Sequence, residues 1–404
     1  MALGTMSAQI TDFSNRADPY PLYAALRKSP VTRQDDGSYL VSTYYEVRSL
    51  ANDPRLSNDL RNRAPGAGGP AVAEEDTNLP PSFLFHDPPE HDRLRNTTMR
   101  PFGPPHSPRF LHDMRDDIAR IITDLLDALD GKDEVDVVED FAYPLPVTAI
   151  CRILGVPRED EPRFHGWADI VASVLDPSQG KEKVQDARRE LGAYLSDLIE
   201  AKRRHPGSGI LGPLAQETGP NGSMSTAELA STSMLLLIAG HETTVNLISN
   251  ATLTLLRHPD ILKRFQTEPG LVVPLVEEVL RYEPPVQFIP FTVALSDIDI
   301  AGTTIPKGAQ VWLLLASANR DPKRFEDPDR FDPDREDNQH LGFYTGIHYC
   351  FGAPLARMEA QLALPHLFRR IKNPRLMADP PPYRANPVLR GPRHLPVAID
   401  GLAA

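Results

Sequence analysis

The chain has 404 residues, 41% of them apolar, and a formal net charge of −12. That length allows a large core, and the acidic balance argues against a general nucleic-acid binder. With only two cysteines and a polar first sixteen residues, the sequence predicts a cytoplasmic protein with no disulfide framework, signal peptide or membrane anchor.

The 41 prolines are scattered rather than clustered, which fits one domain of many short helices and bends. Residues 1–16 read as an N-terminal tail and 17–404 as one large domain. Asp18 to Lys28 has helical spacing, with short strands expected near Val31 and over Ser38–Ser42, then a helix over Tyr44–Asn52. Asn58 to Pro81 is rich in Asn, Pro and Gly and reads as a long loop serving a site. A helix starts near Pro88-Pro89-Glu90. Helical periodicity then covers Arg109–Leu129, Phe141–Leu154, Glu161–Leu175 and Glu182–Arg204, the last two joined by Asp176–Gly180. Ser225–Arg257 is one very long helix whose apolar centre is interrupted by His241 and Glu242, so it reads as buried in protein rather than lipid. Another helix ends at Tyr282 before Pro284-Pro285. Strand patterns are short and late, at Thr292–Ile300, Gln310–Leu315 and Leu395–Ile399. The fold class is mainly α with small β-sheets.

Four segments carry chemistry. The first is Phe343-Tyr344-Thr345-Gly346-Ile347-His348-Tyr349-Cys350-Phe351-Gly352, followed at once by a helical stretch. A lone cysteine in a tight loop at a helix N-terminus is placed to be a thiolate, and a single thiolate suits an axial haem ligand. Read alone, Cys350 is equally a small buried side chain in a turn. The second is Ala239-Gly240-His241-Glu242-Thr243-Thr244, where a mid-helix glycine lets another body approach the backbone and an acid–alcohol pair can pass protons. A helix kink with a back-bonded threonine is its alternative. The third is Glu278-Val279-Leu280-Arg281, with an ion pair at (i, i+3). The fourth is His91-Asp92-Arg93-Leu94-Arg95, whose His91 and Arg95 share one helical face and suit a carboxylate.

In this order and spacing the four segments resemble the cytochromes P450, in particular soluble bacterial ones, and the resemblance runs from Asp18-Pro19-Tyr20 to Leu389-Arg390-Gly391-Pro392. It implies a P450 fold, a triangular prism with the long central helix over a haem b. It implies Cys350 as the iron ligand, His91, Arg95 and His348 on the haem propionates, and Ala239, Gly240, Phe343 and Gly352 as further cofactor contacts. Thr243 and Glu242 would be the catalytic alcohol and acid. Glu278, Arg281 and Arg330 would be a structural ion trio, and Leu236, Ala239, Thr243, Val286, Phe288, Ile289, Val388 and Leu389 would line the substrate pocket.

The implied function is a haem-thiolate monooxygenase that inserts one oxygen atom from O2 into a C–H bond of a hydrophobic small molecule. Electrons from NAD(P)H would arrive through a separate ferredoxin and ferredoxin reductase, with Arg93, Arg100, Arg357, Arg369 and Arg370 as a docking patch. The chain is expected to act as a monomer, away from membranes and nucleic acid. The alternatives are a haem-thiolate sensor that does not oxygenate and a peroxide-dependent haem-thiolate oxidase. Two positions depart from the family pattern: Thr292 stands where many relatives carry a propionate-binding arginine, and Tyr344 where glycine is usual.

Overall fold

The structure is a computed structural model and describes residues 6–64, 79–102, 110–172, 181–217 and 223–403. The Asp176–Gly180 joint and most of the Asn58–Pro81 loop lie outside the described residues. The chain opens with helices α1 (Met6–Thr11), α2 (Tyr20–Leu26) and α3 (Tyr44–Ala51) around strands β1 (Val31–Arg33), β2 (Tyr39–Val41) and β3 (Leu56–Ser57). Within the stretch read as a tail, Ile10 is buried and Arg16 Nη1 donates to the Pro387 carbonyl at 2.8 Å.

The helical half follows: α4 (Glu90–Met99), α5 (Phe110–Asp127), β4 (Glu134–Asp136), α6 (Pro144–Leu154), α7 (Glu161–Ala172), α8 (Lys181–Arg204) and α9 (Leu211–Gln216). Next come α10 (Thr226–Arg257), α11 (Pro259–Thr267) and α12 (Val272–Tyr282). Then β5 (Ile289–Ala294), β6 (Ile298–Ile300), β7 (Thr303–Ile305) and β8 (Gln310–Leu313) precede α13 (Leu315–Ala318), α14 (Ala353–Arg370), β9 (Arg375–Leu376) and β10 (Pro396–Ala398).

Helix α10 is the centre of the molecule. Ser225 caps it in a reciprocal box with Glu228: the Glu228 N–H donates to Ser225 Oγ at 3.2 Å, and the Ser225 N–H to Glu228 Oε2 at 2.7 Å. The helix is buried against α6, α8, α12 and α14 over Leu229–Met234 and Thr244–Leu255, with a partly open stretch between them at Leu235, Ile238, Ala239, Gly240 and Thr243. No helix among the described residues is long and apolar enough to cross a membrane.

A five-stranded sheet in the order β1-β2-β8-β5-β3 forms the other wall, with β2 and β8 parallel and the other pairs antiparallel. The single strand expected over Thr292–Ile300 is two strands in two sheets. Leu295 turns out of β5 to donate to the Arg55 carbonyl at 2.7 Å, and β6 then pairs only with β7. The strand expected over Gln310–Leu315 ends at Leu313, and α13 begins at Leu315.

Candidate active site

The cysteine loop is held at both ends. The Leu341 N–H donates to Asn319 Oδ1 at 2.7 Å, and the Cys350 N–H donates to the Phe343 carbonyl at 2.9 Å. Gly346 has φ +70°, and a Cβ there would sit 2.5 Å from the Ala51 carbonyl oxygen, so only glycine lets the loop lie on the end of α3. Tyr344 also has positive φ (60°), which costs a non-glycine residue roughly 1 kcal/mol. Its ring packs on the apolar cluster of the sheet half, the one that holds Leu50 and Leu341. The tyrosine is therefore turned toward the sheet half.

Burial pushes the Cys350 thiol up, while hydrogen bonds from the Gly352 and Ala353 N–H groups and the charges of Arg95 and Arg357 act the other way. A thiol in this setting keeps its proton until a cation replaces it.

Three donors stand beside the loop. His91 is buried, with Nδ1 2.8 Å from Asp92 Oδ1 and Nε2 without a partner. His348 lies against it at 4.6 Å between ring centroids, and its Nδ1 is also buried without a partner. Burial, with His91 and Arg95 acting the same way, depresses His348 to about 3, so this imidazole is neutral at pH 7. Arg95 reaches the Tyr349 carbonyl at 2.7 Å. Two orphaned imidazole nitrogens and a guanidinium in one place form a donor set for carboxylates. A haem, with propionates for these donors and iron for the sulfur, fits the residues present. Thr292 offers no further donor, since its hydroxyl is buried and given to the Val311 carbonyl at 2.7 Å.

On α10, Ala239 is exposed and Thr243 half-buried within a helix otherwise deep in the core, and the two share one face at (i, i+4). Thr243 Oγ1 donates to the Ala239 carbonyl at 2.6 Å, which is the back-bonded geometry. Glu242 is buried beside it. Gly240, between Ala239 and Thr243 in sequence, is half-buried, and a Cβ there would meet Ile150 of α6 at 3.6 Å, an ordinary van der Waals distance. Gly240→Ala is expected to fold normally and to gain roughly 1 kcal/mol or less from helix propensity, read as a thermal midpoint at or above the parent's.

Glu359, which the sequence reading passed over, is fully enclosed on α14 and takes a hydrogen bond from Thr244. Burial raises it to about 8, against a smaller opposing effect of Thr244. Its folded pKa lies above its unfolded value, so the folded state holds this proton between about pH 4.5 and about 8 while the unfolded chain releases it. Stability attributable to this group thus falls as pH rises through that window and levels off above it. Glu359→Gln is expected to flatten the fall, by a few kcal/mol at most between pH 5 and 8 in urea-unfolding free energies.

The ion trio is rearranged. Glu278 and Arg281 are fully buried and bidentate, at 2.7 Å for each bond. Arg330 does not join with its side chain, which is 68% exposed; its carbonyl accepts from Arg281 Nη2 at 3.0 Å. The third cation is Arg335, with Nε 3.6 Å from Glu278 Oε2, and Asn338 donates to the same oxygen at 3.1 Å. The proposed arginine patch is also largely committed. Arg93 pairs with Glu90 and Glu228, Arg100 with Glu217, Arg357 with Glu277 and Arg370 with Asp127.

The pocket candidates divide by burial. Phe288 stacks on Trp312 at 5.1 Å and is core, and Leu236 and Val388 are buried. Val286, Ile289 and Leu389 are half-buried, and Val286 and Leu389 are bridged to each other. Phe343 is buried under the Arg357 guanidinium, 4.5 Å from the ring centroid, and Gly352 stands immediately before α14.

A mainly helical fold with a one-cysteine loop opening a core helix, beside a small mixed sheet, is the architecture of a haem monooxygenase. The family model for cytochrome P450 matches residues 161–393. The cytochrome P450 monooxygenase PikC of Streptomyces venezuelae is 40% identical over 94% of this chain and 91% of its own length. The vitamin D(3) 25-hydroxylase of Pseudonocardia autotrophica is 37% identical over the full length of both. Among solved structures, CYP109Q5 from Chondromyces apiculatus superposes with a TM-score of 0.87 at 34% identity, covering 98% of each chain. The chain belongs to the cytochrome P450 family. It is a monooxygenase-type oxidoreductase whose cofactor is haem b.

Proposed function

We propose that this enzyme inserts one oxygen atom from O2 into a C–H bond of a mostly hydrophobic small molecule, with residues 17–404 acting as one catalytic domain. Haem supplies the redox and oxygen-inserting chemistry when bound. Cys350 holds the iron as a thiolate. His91, Arg95 and His348 orient the cofactor through its carboxylates. Thr243 presents its hydroxyl oxygen while its proton is engaged by the Ala239 carbonyl, and buried Glu242 next to it moves protons to that face. Val286, Ile289, Leu389 and Ala239 give the substrate an apolar wall, in keeping with a relative named for vitamin D(3) hydroxylation.

Electrons come from a separate ferredoxin and its NAD(P)H-dependent reductase. With four of the five arginines already paired to carboxylates, that partner is recognised by more than free surface charge. The observation that carries the reading is the convergence of the Cys350 loop with the two unpartnered imidazole nitrogens and Arg95.

The test is product formed per NAD(P)H consumed, using a surrogate ferredoxin pair and a compound chosen by its low-spin to high-spin Soret shift. Thr243→Ala is expected to lower product formation about 100-fold while NAD(P)H oxidation continues. Unchanged coupling would remove Thr243 from the mechanism. Product from peroxide alone at the full parent rate would replace the dioxygen reading with the peroxide-dependent one.

A further inference from the structure

Arg390 is among the largest fully buried side chains of the protein, and it lies in a segment whose neighbour Leu389 belongs to the proposed pocket. Its Nε donates to the Arg16 carbonyl and one Nη2 hydrogen to the Ala17 carbonyl, both at 2.8 Å. Nη2 also reaches the Tyr383 hydroxyl at 3.3 Å, and Nη1 is paired with Glu283. Glu283 in turn takes a bond from Tyr20 at 3.1 Å and from Arg320 at 3.3 Å. Arg16 returns the tie by donating to the Pro387 carbonyl at 2.8 Å. The backbone is fixed as firmly: the Arg390 N–H donates to Pro285, and the Gln287 N–H to Val388, both at 2.8 Å.

The same segment is pressed onto α10. Asn250 Nδ2 donates to the Arg390 carbonyl at 3.0 Å and to the Glu283 carbonyl at 3.1 Å. A Cβ on Gly391 would sit 2.2 Å from Asn246 Oδ1, so glycine is required for this approach. Asn246 is three residues beyond Thr243, about 4.5 Å along the helix axis. Val388 and Arg390 are buried while Leu389 between them is half-buried, the alternation of an extended segment that sends Leu389 to the opposite side. There it is bridged to Val286.

We propose, resting on the monooxygenase reading above, that Arg390 is a positioning residue for substrate selection. Its five-donor fork fixes how far the Val286–Leu389 pair stands from the Thr243 face of α10, and so sets which ligand shapes the pocket admits. It does this from a network on the other side of the segment.

The experiment uses the haem-loaded enzyme and two azole probes that bind iron, imidazole and the bulkier 4-phenylimidazole, followed by their absorption changes. Arg390→Lys keeps the charge but cannot serve four acceptors from one ammonium. The expected result is a Kd for 4-phenylimidazole raised about tenfold with that for imidazole changed less than about twofold. The ferrous–CO spectrum stays as in the parent. Equal shifts for both probes, or no shift in a folded, haem-loaded variant, would overturn the proposal. Should Arg390→Lys fail to load haem, Arg16→Lys, which disturbs only the Pro387 tie and its neighbours, must show the same selective loss at smaller amplitude, and its absence is equally fatal. Failure of the monooxygenase reading is seen separately, in the parent's CO spectrum and product yield.

Discussion

Cys350→Ser is expected to abolish oxygenation and to move the Soret band of the ferrous–CO adduct to the shorter wavelength of a non-thiolate ligand. The reason lies in the loop. Burial holds the free thiol protonated, and only the Gly352 and Ala353 N–H groups with Arg95 and Arg357 work against it. Haem iron, when bound, would take the place of that proton, with Cys350 holding it as a thiolate. A serine hydroxyl has a far higher pKa and cannot be brought to its anion by the same few donors. Two measurements check this: the CO difference spectrum of the haem-loaded variant, and haem uptake by the apo-protein as pH falls. Uptake by the parent releases a proton and weakens in acid; uptake by the variant through the propionate donors alone does not depend on the thiol. A variant with a parental CO band would place the ligand elsewhere.

The second large effect is expected from Arg281→Met. All five of its N–H donors are used: two on Glu278, one each on the Asn319 and Pro328 carbonyls at 3.0 and 2.7 Å, and one on Arg330 at 3.0 Å. Removing the guanidinium leaves Glu278 as a charge with no solvent contact, facing only Arg335 and the donors Asn338 and the Asp332 N–H. Breaking such a buried pair costs about 3–5 kcal/mol, a large share of a domain's stability. The loss should reach the haem, because Asn319 carries it forward. Asn319 gives its carbonyl to Arg281, bonds the Leu280 carbonyl, and receives the Leu341 N–H at the start of the cysteine loop. The urea midpoint and the fraction of purified protein bearing haem should therefore fall together. Arg281→Lys keeps the charge but not the fork and should lie between. Loss of stability with full haem occupancy would show that the pair does not support the loop.

Much of this could be read from residues alone because the signals were local. The long apolar-rich run over Ser225–Arg257 marked α10 to within a residue. Gly346 and Gly352 around Cys350 marked a loop entering a helix. What escaped depended on distant partners. Arg330 and Arg335 lie five apart in a segment with no period, and only the path of the chain decides which one turns inward to Glu278. Glu359 looks like any polar residue in a helix until Thr244 from another helix closes over it. The break between β5 and β6 comes from Leu295 bonding Arg55, some 240 residues earlier in the chain.

The sheet order has a kinetic consequence. Strand β2, near residue 40, pairs in parallel with β8 at residues 311–313, so the sheet cannot assemble on the ribosome until more than three-quarters of the polypeptide has emerged. Helices α6 to α10 lie within residues 144–257 and pack on one another, so they can condense first, followed by slow closure of the non-local strand pairings. Refolding is thus expected to be multiphasic, with helical ellipticity returning well before the capacity to bind pigment.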